Sequence, residues 1–88
     1  MKETKMTEYT YHQDPGHGWI EVPLVEVARL RLNPSRYSYR QSERVFLEED
    51  KDGSDWAKAK KDAGEPFNLK DAHVNYDSFI RTLPRFGD

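Results

Sequence analysis

Two histidines and an aspartate near the start of the chain are the first residues whose types could bind a metal ion or transfer protons. His12, Asp14 and His17 surround a Pro-Gly pair in the stretch YTYHQDPGHGWIEV, residues 9–22. A metal centre needs three or four ligands in convergent geometry. The spacing H-x-D-x-x-H matches no established zinc motif, and His73 would have to supply a further ligand from far along the chain. We therefore expect no metal here and interpret DPG as a β-turn.

The same turn carries side chains that suit a contact surface. His12, His17 and Trp19 would surround the tip of a hairpin formed by EYTYHQ and GWIEVP. Their rings combine apolar area with a polar nitrogen. We predict that a partner contacts these three residues.

The acidic stretch EEDKDGSD, residues 48–55, is a second candidate because closely spaced carboxylates can bind calcium. In an EF-hand loop the glycine is the sixth residue, and a bidentate glutamate follows six positions later. Here Gly53 comes two positions early, and an alanine occupies the position of the glutamate. We instead predict a strand end and a helix capped by its early aspartates. Glu48, Glu49 and Asp50 would form an acidic corner open to a partner.

A third candidate, RLNPSRYSYRQSER (residues 31–44), interleaves arginines with tyrosines. Arg36, Tyr37, Tyr39 and Arg40 on one strand could contact phosphates and stack on bases. The alternative is that the arginines pair with the acids that follow them across a hairpin. No RNA-recognition or helix-turn-helix motif is present, so we place nucleic-acid binding second to protein binding.

The charge distribution also indicates contact surfaces. The net charge is −2, which argues against binding nucleic acid through bulk charge. All seven arginines fall within residues 29–44 and 81–85. Arginine suits bidentate and stacked contacts better than lysine does. Because no nucleophile–base pair or phosphate-binding loop is present, we expect neither an enzyme nor a cofactor.

Hydropathy periodicity predicts one small α+β domain, residues 1–88, with the order β-β-α-β-β-α-β. Local hairpins favour an antiparallel sheet of four to five strands with both helices on one face. The strands are predicted at 8–13, 18–23, 36–41, 44–49 and 66–74. The helices are predicted at 23–32, where a strand is the alternative, and from 52 or 54 to 63. Tyr37 and Tyr39 would share one strand face, and Phe67 and Leu69 would face inward.

The two ends of the chain have different compositions. Residues 1–7 are polar, and we expect them to fray. Residues 76–88 contain large apolar residues and arginines, and we expect them to pack on the core, although an exposed Phe/Arg strip would suit an interface. With no cysteine and a thin core covered on one face, the domain should be stable by only about 3–5 kcal/mol. The sequence leaves monomer and homodimer open, and a second copy or a bound partner would add to this stability. No segment predicts a signal peptide or membrane span, so we expect a cytoplasmic protein.

Four stretches together resemble a group of small accessory proteins from phages, plasmids and other mobile elements. They are HQDPGHGWIEVP, SRYSYR, VFLEED and FIRTLPRF, and the resemblance covers residues 9–86. It implies a protein that binds and inhibits or modulates a host protein or ribonucleoprotein complex, such as a restriction or CRISPR system. It implies no catalytic residue. The first hypothesis is therefore a non-enzymatic binding protein, and the alternative is a small nucleic-acid-binding regulator.

Overall fold

The computed structural model describes residues 6–87 and shows a small α+β domain in the predicted order. The strands are β1 (Thr7–Gln13), β2 (Gly18–Pro23), β3 (Tyr39–Gln41), β4 (Arg44–Glu48) and β5 (Phe67–His73). The helices are α1 (Leu24–Arg29), α2 (Asp52–Asp62) and a 3-10 helix, Phe79–Thr82. The predicted class and element order are confirmed. Of the segment expected to fray, residues 1–5 lie outside the described residues, whereas Thr7 already belongs to β1.

The five strands form one mixed sheet in the order β3-β4-β2-β1-β5. Three neighbouring pairs are antiparallel, as predicted, but β5 pairs with β1 in parallel. The prediction of a wholly antiparallel sheet was wrong for this pair. β4 and β5 run in the same direction, and such strands need a long crossover connection. The helix α2 lies between them in the chain and provides it.

The larger core lies between the sheet and both helices, which therefore cover the same face as predicted. Alternate strand residues point to this face because successive side chains of a strand point to opposite sides. α1 contributes Val27 and α2 contributes Trp56. The buried members of this core are Tyr9, Ile20, Val22, Val27, Val45, Leu47 and Trp56.

A second core lies on the opposite face of the sheet. Trp19 and Phe46 point to this side and pack with Tyr39 from β3 and Ile80 from the 3-10 helix. The prediction of a core on one face was wrong, because large rings alternate with the aliphatic residues of β2 and β4. We name residues 78–87 the C-terminal segment; its Ile80 is fully buried in this second core.

One local prediction also failed. Residues 36–38 form a turn, and β3 begins only at Tyr39. Tyr37 and Tyr39 therefore do not share a strand face: Tyr37 is 72% exposed, whereas Tyr39 is buried. Leu69 lies on the same strand face as Phe67, as expected, but it remains 42% exposed because β5 is at the edge of the sheet. Within residues 6–87, no helix is long and apolar enough to cross a membrane.

Candidate binding groove

An open groove of about 500 Å³ lies beside the second core. Four parts of the chain form its walls: the first hairpin, the turn before β3, the corner between β4 and α2, and the C-terminal segment. The residues that line the groove are His17, Trp19, Ser35, Tyr37, Tyr39, Glu48, Asp50, Lys51, Arg81 and Arg85.

Two aromatic rings, each with an arginine over it, lie along the groove. Trp19 and Tyr39 are both buried and meet edge to face, with 6.1 Å between ring centroids. The guanidinium carbon of Arg81 is 5.4 Å from the centroid of Trp19, and that of Arg85 is 5.3 Å from the centroid of Tyr39. Such cation–π contacts attract a guanidinium to the face of a ring. The groove therefore carries two cationic donors whose positions the buried rings help to fix.

Asp14 fixes the position of Arg81 in the groove. Its Oδ2 accepts from Arg81 Nε (2.6 Å) and the Ser78 N–H (2.9 Å). Its Oδ1 accepts from Arg81 Nη2 and from the N–H groups of Gly16 and His17. These donors hold the pKa of Asp14 far below its usual range, with Arg81 the largest cause. The carboxylate joins the hairpin turn to the C-terminal segment.

His12 does not lie at the hairpin tip. Its Nε2 is 2.8 Å from Glu21 Oε1, and its ring packs edge-on between Phe46 and Phe79 at 5.6 and 5.8 Å. His17 instead lies in the groove, with its ring 6.0 Å from that of Trp19. Within residues 6–87, no three His, Cys, Asp or Glu side chains are placed to hold a metal ion.

The acidic wall of the groove is also the start of α2. Glu48 accepts from the backbone N–H groups of Asp50, Lys51 and Asp52. Burial raises the pKa of Glu48, but these three donors outweigh burial and lower it overall. The predicted capping by the early aspartates of the helix was wrong: its N-cap residue, Lys51, makes no side-chain cap. Glu48 supplies the acceptor from the end of β4 instead.

Asp52 positions the turn that carries Tyr37. Its Oδ2 accepts from the N–H and hydroxyl of Ser35 and from the hydroxyl of Ser38. Ser38 is fully buried and also accepts from the Glu48 N–H. This network ties residues 35–38 to the start of α2, and it leaves the Tyr37 side chain projecting from the groove wall.

The structure brings six of the ten predicted contact residues to the groove: His17, Trp19, Tyr37, Tyr39, Glu48 and Asp50. His12, Arg36, Arg40 and Glu49 do not line it. Glu49 accepts from the Tyr11 hydroxyl, beside the larger core. Burial and then Glu49 raise the pKa of Tyr11 to about 12. Arg40 donates to the Ser42 carbonyl.

Four lining residues were not among the predicted contacts. They are Ser35, Lys51, Arg81 and Arg85. The clustering of arginines at 81–85 was the one available signal, and it indicated an interface without indicating where the segment lies. Gly18 explains the fit of the hairpin: a Cβ there would lie 2.7 Å from the Tyr11 ring, so only glycine leaves room for that ring.

A buried polar cluster under the helices was not predicted. Glu26 accepts from the Tyr9 hydroxyl and Trp56 Nε1, both at 2.7 Å. Lys60 Nζ donates to Tyr9 and Glu65. Burial lowers the pKa of Lys60, but these partners outweigh burial and raise it. Lys60 and Glu26 thus have partners, and none of the three cavities described in this chain includes either residue. The cluster joins α1, α2 and β1.

In comparisons with family models, curated proteins and solved structures, nothing matches this chain. The groove and its chemistry therefore carry the functional argument.

Proposed function

We propose that this chain is a non-enzymatic protein-binding module and that its groove receives a segment of a partner protein. One observation carries the proposal: two arginines, each over a buried aromatic ring, line an open groove together with the exposed Tyr37 ring and the carboxylates of Glu48 and Asp50. Tryptophan, tyrosine and arginine are the residue types most enriched at binding hot spots.

The groove is organised before any partner binds. Arg81 is held by two donor contacts to Asp14 and by the Trp19 ring. Arg85 lies over Tyr39 and donates to the Arg36 carbonyl. Side chains that are already ordered lose less entropy on binding, which favours affinity. The volume of about 500 Å³ is within the usual range for binding pockets and could hold a few side chains.

The charges of the groove favour a protein over a nucleic acid. Lys51, Arg81 and Arg85 contribute three positive charges, and Glu48 and Asp50 contribute two negative charges. Lys51 also pairs with Asp55 at 2.9 Å, and Arg81 pairs with Asp14. A polyphosphate chain would meet these acids. An extended peptide with an apolar anchor and charges of both signs would complement the walls.

The proposed partner is a host protein or ribonucleoprotein complex in the cytoplasm. This part rests on the resemblance to mobile-element accessory proteins, which often act by binding and blocking a host macromolecule. A small binding module whose contacts are fixed in advance suits stoichiometric inhibition or modulation of a restriction or CRISPR complex.

The alternative function, a nucleic-acid-binding regulator, is favoured by one observation. Tyr37 is exposed and lies between Arg36 and Arg40, which are also exposed. An exposed ring beside arginines could stack on a base of single-stranded nucleic acid. Such binding would weaken steeply with added salt because bound counterions are released.

Affinity capture with matched tyrosine variants tests the proposal. The tagged chain is incubated with bacterial lysate, with and without nuclease, and the captured proteins are identified and then titrated. We expect one complex at stoichiometric yield after nuclease treatment. We expect Tyr37→Ala to weaken its binding about tenfold or more, as for a hot-spot residue. Tyr76→Ala is the control, because Tyr76 is 70% exposed, compared with 72% for Tyr37, and does not line the groove.

Two results would contradict the proposal. If both tyrosine variants bind as the wild type does, the groove is not the contact surface. If protein capture is lost on nuclease treatment and affinity falls steeply with salt, the alternative replaces protein binding.

A further inference from the structure

The two edges of the sheet differ. At β3, the C-terminal segment pairs with the edge: the Arg40 N–H donates to the Pro84 carbonyl at 2.9 Å, and the Phe86 N–H donates to the Ser38 carbonyl at 2.8 Å. At the other edge, β5 pairs with β1 on one side only, and no strand within residues 6–87 covers its outer side. A seven-residue strand left in this way presents unpaired N–H and C=O groups.

Apolar side chains accompany the β5 edge. Leu69 is 42% exposed and lies on the same strand face as Phe67, which packs against the larger core. Met6 is 50% exposed and lines a shallow depression of about 420 Å³ together with Pro66 and Phe67. A strand added to this edge would cover apolar surface and would also form hydrogen bonds with the unpaired N–H and C=O groups of β5.

We propose that a second copy of this chain pairs with β5, antiparallel and centred on Leu69. Two identical antiparallel strands related by a two-fold axis pair a central residue with itself. The choice of that residue sets which side chains meet. Like charges directly opposite one another destabilise a strand pair, so charge decides the register.

Only three registers pair five or more residues of β5, and two of them bring like charges together. Centring on Lys70 places two ammonium groups opposite each other, and centring on Asp71 does the same with two carboxylates. Centring on Leu69 pairs Asn68 with Lys70 and Phe67 with Asp71, and it brings two exposed leucines into contact. The β5 sequence therefore selects this one register.

The resulting dimer would have a continuous ten-stranded sheet. The groove lies near β3, at the other edge, so pairing through β5 leaves both grooves open. Two grooves in one particle could engage two sites on one host complex, which raises the apparent affinity.

Single-cysteine variants test the register, because the chain contains no cysteine of its own. In the Leu69-centred pair, the two Leu69 Cα atoms would be about 4.5–5.5 Å apart, which suits a disulfide. We expect Leu69→Cys to form a covalent dimer under mild oxidation. Asp71→Cys is the control, because residue 71 lies on the same strand face as residue 69. In this register it lies opposite Phe67 of the second copy, so the two residues 71 are four positions, or about 13 Å, apart along the strands.

Charge variants and sedimentation complete the test. Leu69→Lys and Leu69→Asp should each be monomeric alone, and a mixture of the two should form a heterodimer. Circular dichroism checks that both variants fold. A wild-type chain that sediments as a monomer up to millimolar concentration would overturn the proposal, as would equal cross-linking of the two cysteine variants.

Discussion

The Asp14 carboxylate joins two distant segments of the chain by hydrogen bonds, without any strand pairing between them. Two donors come from Arg81, and three come from the backbone of Gly16, His17 and Ser78. Some donors belong to the hairpin turn, and the others belong to the C-terminal segment. Arg81 in that segment is 67 positions after Asp14. Because the carboxylate is fully buried and charged, breaking its pair with Arg81 would lower the free energy of unfolding strongly.

Asp14→Asn should therefore destabilise the protein by about 3 kcal/mol at pH 7. The folded-state pKa of Asp14 is lowered, so its carboxylate stabilises the fold above the unfolded pKa of about 3.9. This contribution is lost as the pH falls through the folded-state pKa. The difference in unfolding free energy between wild type and variant should thus shrink below about pH 4. Urea unfolding at several pH values measures this difference. A stabilising osmolyte is added so that both proteins are folded at the start of each titration.

Asp62→Asn is the matched control for Asp14. The Asp62 side chain is 65% exposed and pairs with Lys58 four positions earlier. Exposed pairs of this kind contribute about 0.3–0.5 kcal/mol. Equal effects of the two substitutions, or a difference that does not depend on pH, would contradict the role assigned to Asp14.

The start of α2 depends on a residue outside the helix. Glu48 is the last residue of β4 and accepts three N–H groups from residues 50–52. The first N–H groups of a helix have no partner within it, so an acceptor nearby stabilises the helix. The same corner carries the acidic wall of the groove, so helix capping and groove geometry are coupled.

Glu48→Ala should cost about 1–2 kcal/mol and speed amide exchange at residues 50–52. Asp50→Ala, at an exposed neighbouring position, should change stability by less than about 0.5 kcal/mol. Chemical denaturation and hydrogen exchange followed by NMR measure both effects. If the two variants behave alike, Glu48 is not the cap of α2.

The domain as a whole consists of a sheet covered on both faces. The helices cover the aliphatic face, and the C-terminal segment covers the face of Trp19 and Phe46. In an 88-residue chain without cysteine, a second core adds buried apolar area that one face alone could not supply. The segment also completes the groove through Arg81 and Arg85, so under the proposed function the same ten residues contribute to stability and to binding.

Ile80→Ala should destabilise the protein by about 2–4 kcal/mol, because Ile80 is fully buried and its truncation leaves a cavity. Val25→Ala is the aliphatic control, since Val25 is 69% exposed on α1 and should change stability by less than about 0.5 kcal/mol. Thermal and urea unfolding measure both. An Ile80 variant no less stable than the Val25 variant would show that the C-terminal segment does not unfold with the domain.

The class, the element order and both hairpins could be predicted from the sequence. Two local patterns made this possible: the alternation of side chains in β2 and β4, and the Pro-Gly turn. Both depend only on residues that are neighbours in the sequence. The parallel β1–β5 pair was missed because hairpins are local, whereas this pairing joins strands separated by most of the chain. The strand position predicted for Tyr37 was wrong because Ser35 and Ser38 donate hydrogen bonds to Asp52 and hold residues 36–38 in a turn. The expected strand therefore begins only at Tyr39.

Of the candidate site, the sequence by itself determined the residue types: aromatic rings, arginines and acids in separate clusters. Only the tertiary structure decided which of them meet. It placed Arg81 on Trp19 and Arg85 on Tyr39, and it turned His12, Glu49 and Arg40 away from the groove. The physical reason is that local periodicity specifies which side of an element a residue occupies. Contacts between distant segments instead depend on which buried surfaces and charges satisfy one another when the whole chain folds.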